Sequence, residues 1–127
     1  MSEESLGRVY QDGELIIRQG EVGNCMFVIQ TGQVEIFRQE GDREVRLRVA
    51  GAKEFFGEMA LVDNAVRSAS VRALGRATIL TVDRRTFLRR VHEDPSLAYR
   101  VMEAMSHEIR RLAEEVARLK ARDGAAS

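Results

Sequence analysis

The residues able to hold an anion cluster between Phe55 and Val71. Phe55-Phe56-Gly57-Glu58-Met59-Ala60-Leu61 joins an apolar strand end to a glycine, a carboxylate and a short helix-forming run. After a short loop, Val66-Arg67-Ser68-Ala69-Ser70-Val71 returns the chain to alternating apolar residues. A glycine before a helical turn lets the main chain approach a ligand closely. The first N–H groups of that turn are donors at the positive end of the helix dipole. Gly57 through Ala60, including Met59, therefore offer a cradle for an anion. Arg67 adds charge-assisted hydrogen bonds to phosphate oxygens, and the Ser68 hydroxyl adds another donor. Glu58 narrows the chemistry, because a carboxylate beside a phosphate repels it unless the carboxylate faces a donor, and a ribose hydroxyl is the usual one. A phosphate and a ribose hydroxyl together make a nucleotide.

Short strands must position this stretch. Glu14–Arg18, Cys25–Thr31 and Gln33–Gln39 are separated by glycine-bearing turns, with a break expected at Gly32. Gln39-Glu40-Gly41-Asp42 reads as a hairpin turn with a glycine for positive φ. Val45, Leu47 and Val49 then alternate on a returning, half-buried strand that Gly51 ends. Ala69-Val71-Ala73 and Thr78-Leu80-Val82 again show period two, so the anion-binding stretch interrupts a β-barrel-like roll. The expected fold class is mainly β with α: a jelly-roll-like β-roll, a double-stranded β-helix, carrying a short helix and followed by C-terminal helices.

The period changes to that of helices at Asp83, a plausible N-cap. Phe87, Leu88 and Val91 form a one-sided stripe there that packs on the roll. Asp94 caps a second helix with Pro95 at its first position, and Gly124 is placed to end it near Arg122. Along this helix Ala98, Met102, Met105, Ile109, Leu112, Val116 and Leu119 recur at steps of four and three, a heptad seam suited to a parallel dimer. Glu115 and Lys120 occupy flanking positions able to pair across it.

Composition bounds the rest. At 127 residues, with 44% hydrophobic residues, the chain reads as one domain, with a β-roll over about 9–82, helices over about 83–122 and a dimerisation helix over 96–122. Twenty basic and twenty acidic residues cancel, so no global field draws the chain to nucleic acid or an anionic membrane. One cysteine, Cys25, excludes an internal disulfide, and no long apolar run or signal-like start appears, which favours the cytoplasm. His92 and His107 lack partners at metal spacing, and no nucleophile is paired with a base, so neither metal ligands nor an enzyme is expected. Met1–Gly7 and Asp123–Ser127 are polar or small and read as frayed ends.

The segment Gly57-Glu58-Met59-Ala60-Leu61, a short loop, then Arg67-Ser68-Ala69-Ser70-Val71 resembles the phosphate-binding cassette of cyclic nucleotide-binding domains. These are the sensor modules of catabolite activator-type regulators, cyclic-nucleotide-dependent kinases and gated channels. Gly13-Glu14-Leu15-Ile16-Ile17-Arg18-Gln19-Gly20-Glu21 and Met26-Phe27-Val28-Ile29-Gln30-Thr31-Gly32-Gln33-Val34 look like the family's glycine-punctuated strands. The resemblance implies that Glu58 accepts from the ribose 2′-hydroxyl, that Arg67 pairs with the cyclic phosphate, and that Gly57, Ala60 and Ser68 complete the cradle. Two departures stand out. Val66 occupies the place where many members carry proline. Leu112 and Ala113 align where catabolite activator-type sensors present hydroxyl residues to the base. The resemblance implies a sensor domain that needs no cofactor, with cyclic AMP as ligand ahead of cyclic GMP. It would act as a homodimer, without direct nucleic-acid or membrane contact, on an output carried elsewhere. The alternative is a nucleotide-independent dimerisation or scaffold module with a vestigial cassette.

Overall fold

The computed structural model describes residues 7–62 and 64–126. They divide into two compact units, Met1–Phe87 and Leu88–Ser127, with the division inside a helix. The first unit contains strands β1 (Arg8–Tyr10), β2 (Leu15–Ile17), β3 (Val22–Gly23), β4 (Cys25–Glu40), β5 (Arg43–Ala50) and β6 (Phe55–Phe56). The short helix α1 (Met59–Val62), β7 (Ala65–Val66), β8 (Ser70–Asp83) and the start of α2 (Arg84–Glu93) follow. Among the described residues the strands pair in antiparallel fashion. The main sheet runs β1-β8-β4-β5, with β2 also on β8 and β6 on β4, while β3 and β7 form a separate ladder. The mainly β architecture with helices is the one its sequence patterning implies.

The interruption expected at Gly32 is a bend within a single strand. β4 continues through Gly32, which has φ +87° and sits where the register against β8 shifts between Ile29 and Gln33. A Cβ on Gly32 would overlap the Arg76 carbonyl oxygen and lie 2.8 Å from Ala77 Cα. The glycine thus permits a bulge that bends the strand and keeps its ladder. β8 likewise runs unbroken through Gly75, at φ +71°. Bending also changes which residues face inward: Ala77 and Ile79 are buried, with Thr78 and Leu80 half-buried, the reverse of the alternation expected at those positions, while Val82 is buried as expected.

Tyr10, Ile17, Phe27, Ile29, Val34, Ala50, Phe56, Val71, Ala73, Ala77 and Ile79 form the contiguous core. Cys25 packs against it half-buried. β5 departs from expectation, because Val45, Leu47 and Val49 are each about two-fifths exposed and only Ala50 is buried. The cause is position: β5 is the sheet's edge strand, and its bulge opposite Ile36 and Phe37 disturbs the regular facing of its residues. Period two identified the strand without identifying a covered face.

The helix caps fall where the sequence places them. Thr86 N donates to Asp83 Oδ1 at 2.8 Å, and Ser96 N and Oγ donate to Asp94 Oδ1 at 3.1 and 2.6 Å. Of the α2 stripe, Phe87 and Val91 are half-buried and Leu88 is exposed, so α2 contributes no buried residue to a core. Helix α3 (Ser96–Ala126) passes Gly124 rather than ending there, and it includes Asp123–Ala126, which were expected to fray. One glycine in a helix costs only about 1 kcal/mol, too little to terminate it alone. Of the rest of the expected frayed ends, Gly7 precedes β1, and residues 1–6 and 127 lie outside the described residues. No described helix is long and apolar enough to cross a membrane.

Candidate phosphate-binding site

β6 ends against β4 with Phe56 opposite Phe27, and the two rings stack at 5.2 Å with an interplanar angle of 15°. That pair fixes the point at which the chain leaves the sheet. Gly57, at φ +76°, turns it into α1, where Ala60 N bonds to Gly57 O at 3.3 Å and Leu61 N to Glu58 O at 3.0 Å. Left-handed φ here favours glycine strongly. Glu58 and Ala60 are buried, whereas Met59 is half exposed.

Arg67 reaches this corner from the other side. The β3–β7 ladder pairs Val22 with Val66 and Gly23 with Ala65. Just beyond it, Arg67 N donates to Glu21 O at 2.8 Å and Gly20 N to Arg67 O at 2.9 Å. The turn at Gly20 is itself tied down, since Gln19 N donates to Ser70 Oγ at 2.9 Å and Gln19 Oε1 accepts from Gln39 N at 2.8 Å. Strand alternation turns exposed Val66 one way and half-buried Arg67 the other. The guanidinium donates from Nη1 to Gly57 O at 3.0 Å and from Nη2 to Cys25 O at 2.7 Å, over the Phe27 ring at 5.7 Å. Cys25 Sγ lies 3.8 Å from Nη2.

The structure therefore brings Arg67 onto Gly57, ten residues away in sequence, with Glu58, Met59 and Ala60 following directly in the chain. Ser68 is exposed on the bend after Arg67. Leu112 and Ala113 belong to α3, in the second unit, and are exposed there. Sequence reasoning missed Gly23 and the Cys25 carbonyl, which contact Arg67 from more than forty positions away. No sequence signal singled out Gly23, which stands in a glycine-bearing stretch that reads as a turn, and only the structure shows its φ to lie outside the left-handed region. Among the described residues, no group of three or more histidines, cysteines or carboxylates is placed to hold a metal.

The site is thus an arginine held at a glycine corner of the β-roll. Residues 7–94 match the model of the cyclic nucleotide-binding domain, and the chain belongs to that family. It is 37% identical over 98 residues to a cAMP-dependent protein kinase regulatory subunit from Blastocladiella emersonii, covering 76% of this chain and 24% of that protein. It is 43% identical over 81 residues to the cGMP-dependent protein kinase egl-4 of Caenorhabditis briggsae, covering 61% of this chain and 11% of that one. The structure of the Thermus thermophilus catabolite activator protein superposes with a TM-score of 0.81 at 31% identity, over 89% of this chain and 54% of that protein. The chain thus spans a quarter or less of the two kinase proteins' lengths and about half of the regulator's.

Proposed function

We propose that this domain binds a cyclic nucleotide at the Gly57–Arg67 corner, cyclic AMP ahead of cyclic GMP, and passes the signal through α3 as a homodimer. The observation that carries the site is the Arg67 guanidinium, held on two main-chain carbonyls beside Gly57. A carbonyl presents only a partial charge, so the cyclic phosphate, a full anion, replaces it with stronger charge-assisted bonds. Ser68 then donates to the same phosphate, and buried Glu58 accepts from the ribose 2′-hydroxyl. Gly57, Met59 and Ala60 shape the floor. The preference for cyclic AMP rests on the resemblance to catabolite activator-type sensors; of the two kinase matches, the cGMP-named one is the more identical and the cAMP-named one covers more of this chain. Calorimetric titration with each nucleotide tests the reading. Binding of both, tighter for cyclic AMP, is expected; no heat with either at millimolar ligand leaves the scaffold reading in its place.

Support for the dimer comes from the seam: Met102, Ile109, Leu112, Val116 and Leu119 are each about half exposed or more. Pairing two such seams removes this apolar area from water at about 25 cal/mol per Å². Leu112→Glu puts a charge on each side of the two-fold axis. Sedimentation over a concentration range should show a dimer for the natural chain and a folded monomer for the variant. A natural chain that stays monomeric throughout removes dimerisation from the proposal.

A further inference from the structure

Gly23 has no backbone reason to be glycine. Its φ lies outside the left-handed region, and it sits in β3 opposite Ala65, a position any small residue fills. What excludes a side chain is Arg67. A Cβ built on Gly23 would overlap Arg67 Nε and Cζ and stand 2.6 Å from Nη2. At the other terminal nitrogen, a Cβ on Gly57 would stand 2.9 Å from Arg67 Nη1 and 3.3 Å from Ile17 Cδ1. The guanidinium therefore lies in a slot that two glycines keep open, Gly23 at Nε, Cζ and Nη2 and Gly57 at Nη1, with Phe27 beside it and the Gly57 and Cys25 carbonyls at its end.

From this slot we infer that Gly23 is a positioning residue for the anion: its bare Cα sets where the Arg67 fork stands when the phosphate arrives. The inference rests on the reading of Arg67 as the phosphate ligand and extends it to a residue outside the cassette. The two glycines differ in kind. Gly57 is needed by its own backbone, at φ +76°, whereas Gly23 is needed only by a side chain 44 positions later. The atoms nearest a methyl at 23 all belong to the end of a flexible arginine, so the strand survives and the arginine moves.

That distinction gives the test. Gly23→Ala in the full chain should weaken cyclic AMP and cyclic GMP by about tenfold or more, the loss expected when one charge-assisted hydrogen bond is misaligned. It should also lower Tm by a few degrees by displacing Arg67 from the two carbonyls. In an Arg67→Ala background the same change should leave Tm unaltered or raise it, because the collision is gone and alanine reduces the freedom of the unfolded chain. Arg67→Met, which keeps the stem of the side chain, serves as a second background if Arg67→Ala does not fold. An equal fall in Tm with and without the arginine overturns the inference, since Gly23 would then serve its strand. Unchanged nucleotide affinity in Gly23→Ala overturns it as well. Should the natural chain bind neither nucleotide, the phosphate reading fails by itself, and the Tm comparison still decides whether Gly23 seats Arg67.

Discussion

Two arginines of the first unit lie over phenylalanine rings and end differently. Arg72 on β8 stands 4.1 Å from the Phe37 ring centre and donates to Glu35 at 2.6 Å and to Glu44 at 3.1 Å. Arg46 on β5 joins the same cluster, reaching Glu35 at 2.5 Å. Arg67, over Phe27, ends on the carbonyls of Gly57 and Cys25. In the first region formal charges meet formal charges and the strand register sets them opposite one another, with Glu35 paired directly to Arg72 across the β4–β8 ladder. In the second, the guanidinium rests on dipoles at a corner between loops. A fully paired arginine contributes to the fold; one held by carbonyls keeps its capacity to bind an anion.

The largest expected effect separates the two by binding. Arg67→Ala should cost about 2–5 kcal/mol of cyclic nucleotide affinity, as for removing one partner of a desolvated charge pair. Titration calorimetry measures it, with Arg72→Ala as the control that keeps the natural affinity. Unchanged affinity in the Arg67 variant would erase the contrast.

Stability separates them in the other direction. Arg72→Ala leaves Glu35, which is only 6% exposed, with one arginine in place of two. Loss of hydrogen bonds between charged groups should cost about 1.5–3 kcal/mol in a urea unfolding curve. Arg67→Ala should cost less, since the carbonyls it releases can be hydrated at this half-buried corner.

How much of this was legible depends on distance along the chain. Gly57, Glu58, Arg67 and Ser68 lie within a dozen residues, and Gly57 and Arg67 meet as the motif implied. Gly23 and Cys25 reach Arg67 only through the folding of β3 onto β7 and β4 onto β6, and no local period encodes that. The same limit hid the continuity of β4 and β8, because a glycine at a bulge and a glycine at a break look alike in sequence. The caps at Asp83 and Asp94 were readable because their partners are two or three residues away.

Acid sharpens the comparison further. Hydrogen bonding to Arg46, then to Arg72, against the opposing effect of burial, holds the Glu35 carboxyl below its ordinary value of 4.5. Because the folded chain binds that proton less readily than the unfolded one, Glu35 contributes its stability above about pH 4.5. The contribution is lost as pH falls through the lower folded value. Asp94, at the N-cap of α3 and held down chiefly by the Ser96 hydroxyl, adds to the same limb. Chemical unfolding at a series of pH values should therefore show the natural chain and Glu35→Gln converging as pH drops below 4.5, while a residual fall common to both reports on Asp94 and other carboxylates. A gap between the two curves that does not change with pH would mean the cluster acts through shape and not through charge.

The smallest effect is the most local and contrasts two serines two positions apart. Ser70 is buried, and its Oγ accepts from Gln19 N at 2.9 Å, so the fold already uses that hydroxyl. Ser68 is exposed on the bend directly after Arg67, where its hydroxyl can rotate toward a phosphate held by the guanidinium. Ser68→Ala should weaken nucleotide binding by about 0.5–1.5 kcal/mol, the value of one hydrogen bond, and leave the unfolding curve in place. Ser70→Ala should do the opposite first: stability falls, because Gln19 N loses its partner in a part-buried setting, and affinity follows only as far as the Gly20 turn that pins Arg67 loosens. Measuring affinity and unfolding on both variants gives four numbers for the two serines. If Ser68→Ala loses stability and not affinity, the cradle ends at Arg67, and phosphate recognition falls to the guanidinium and the main chain alone.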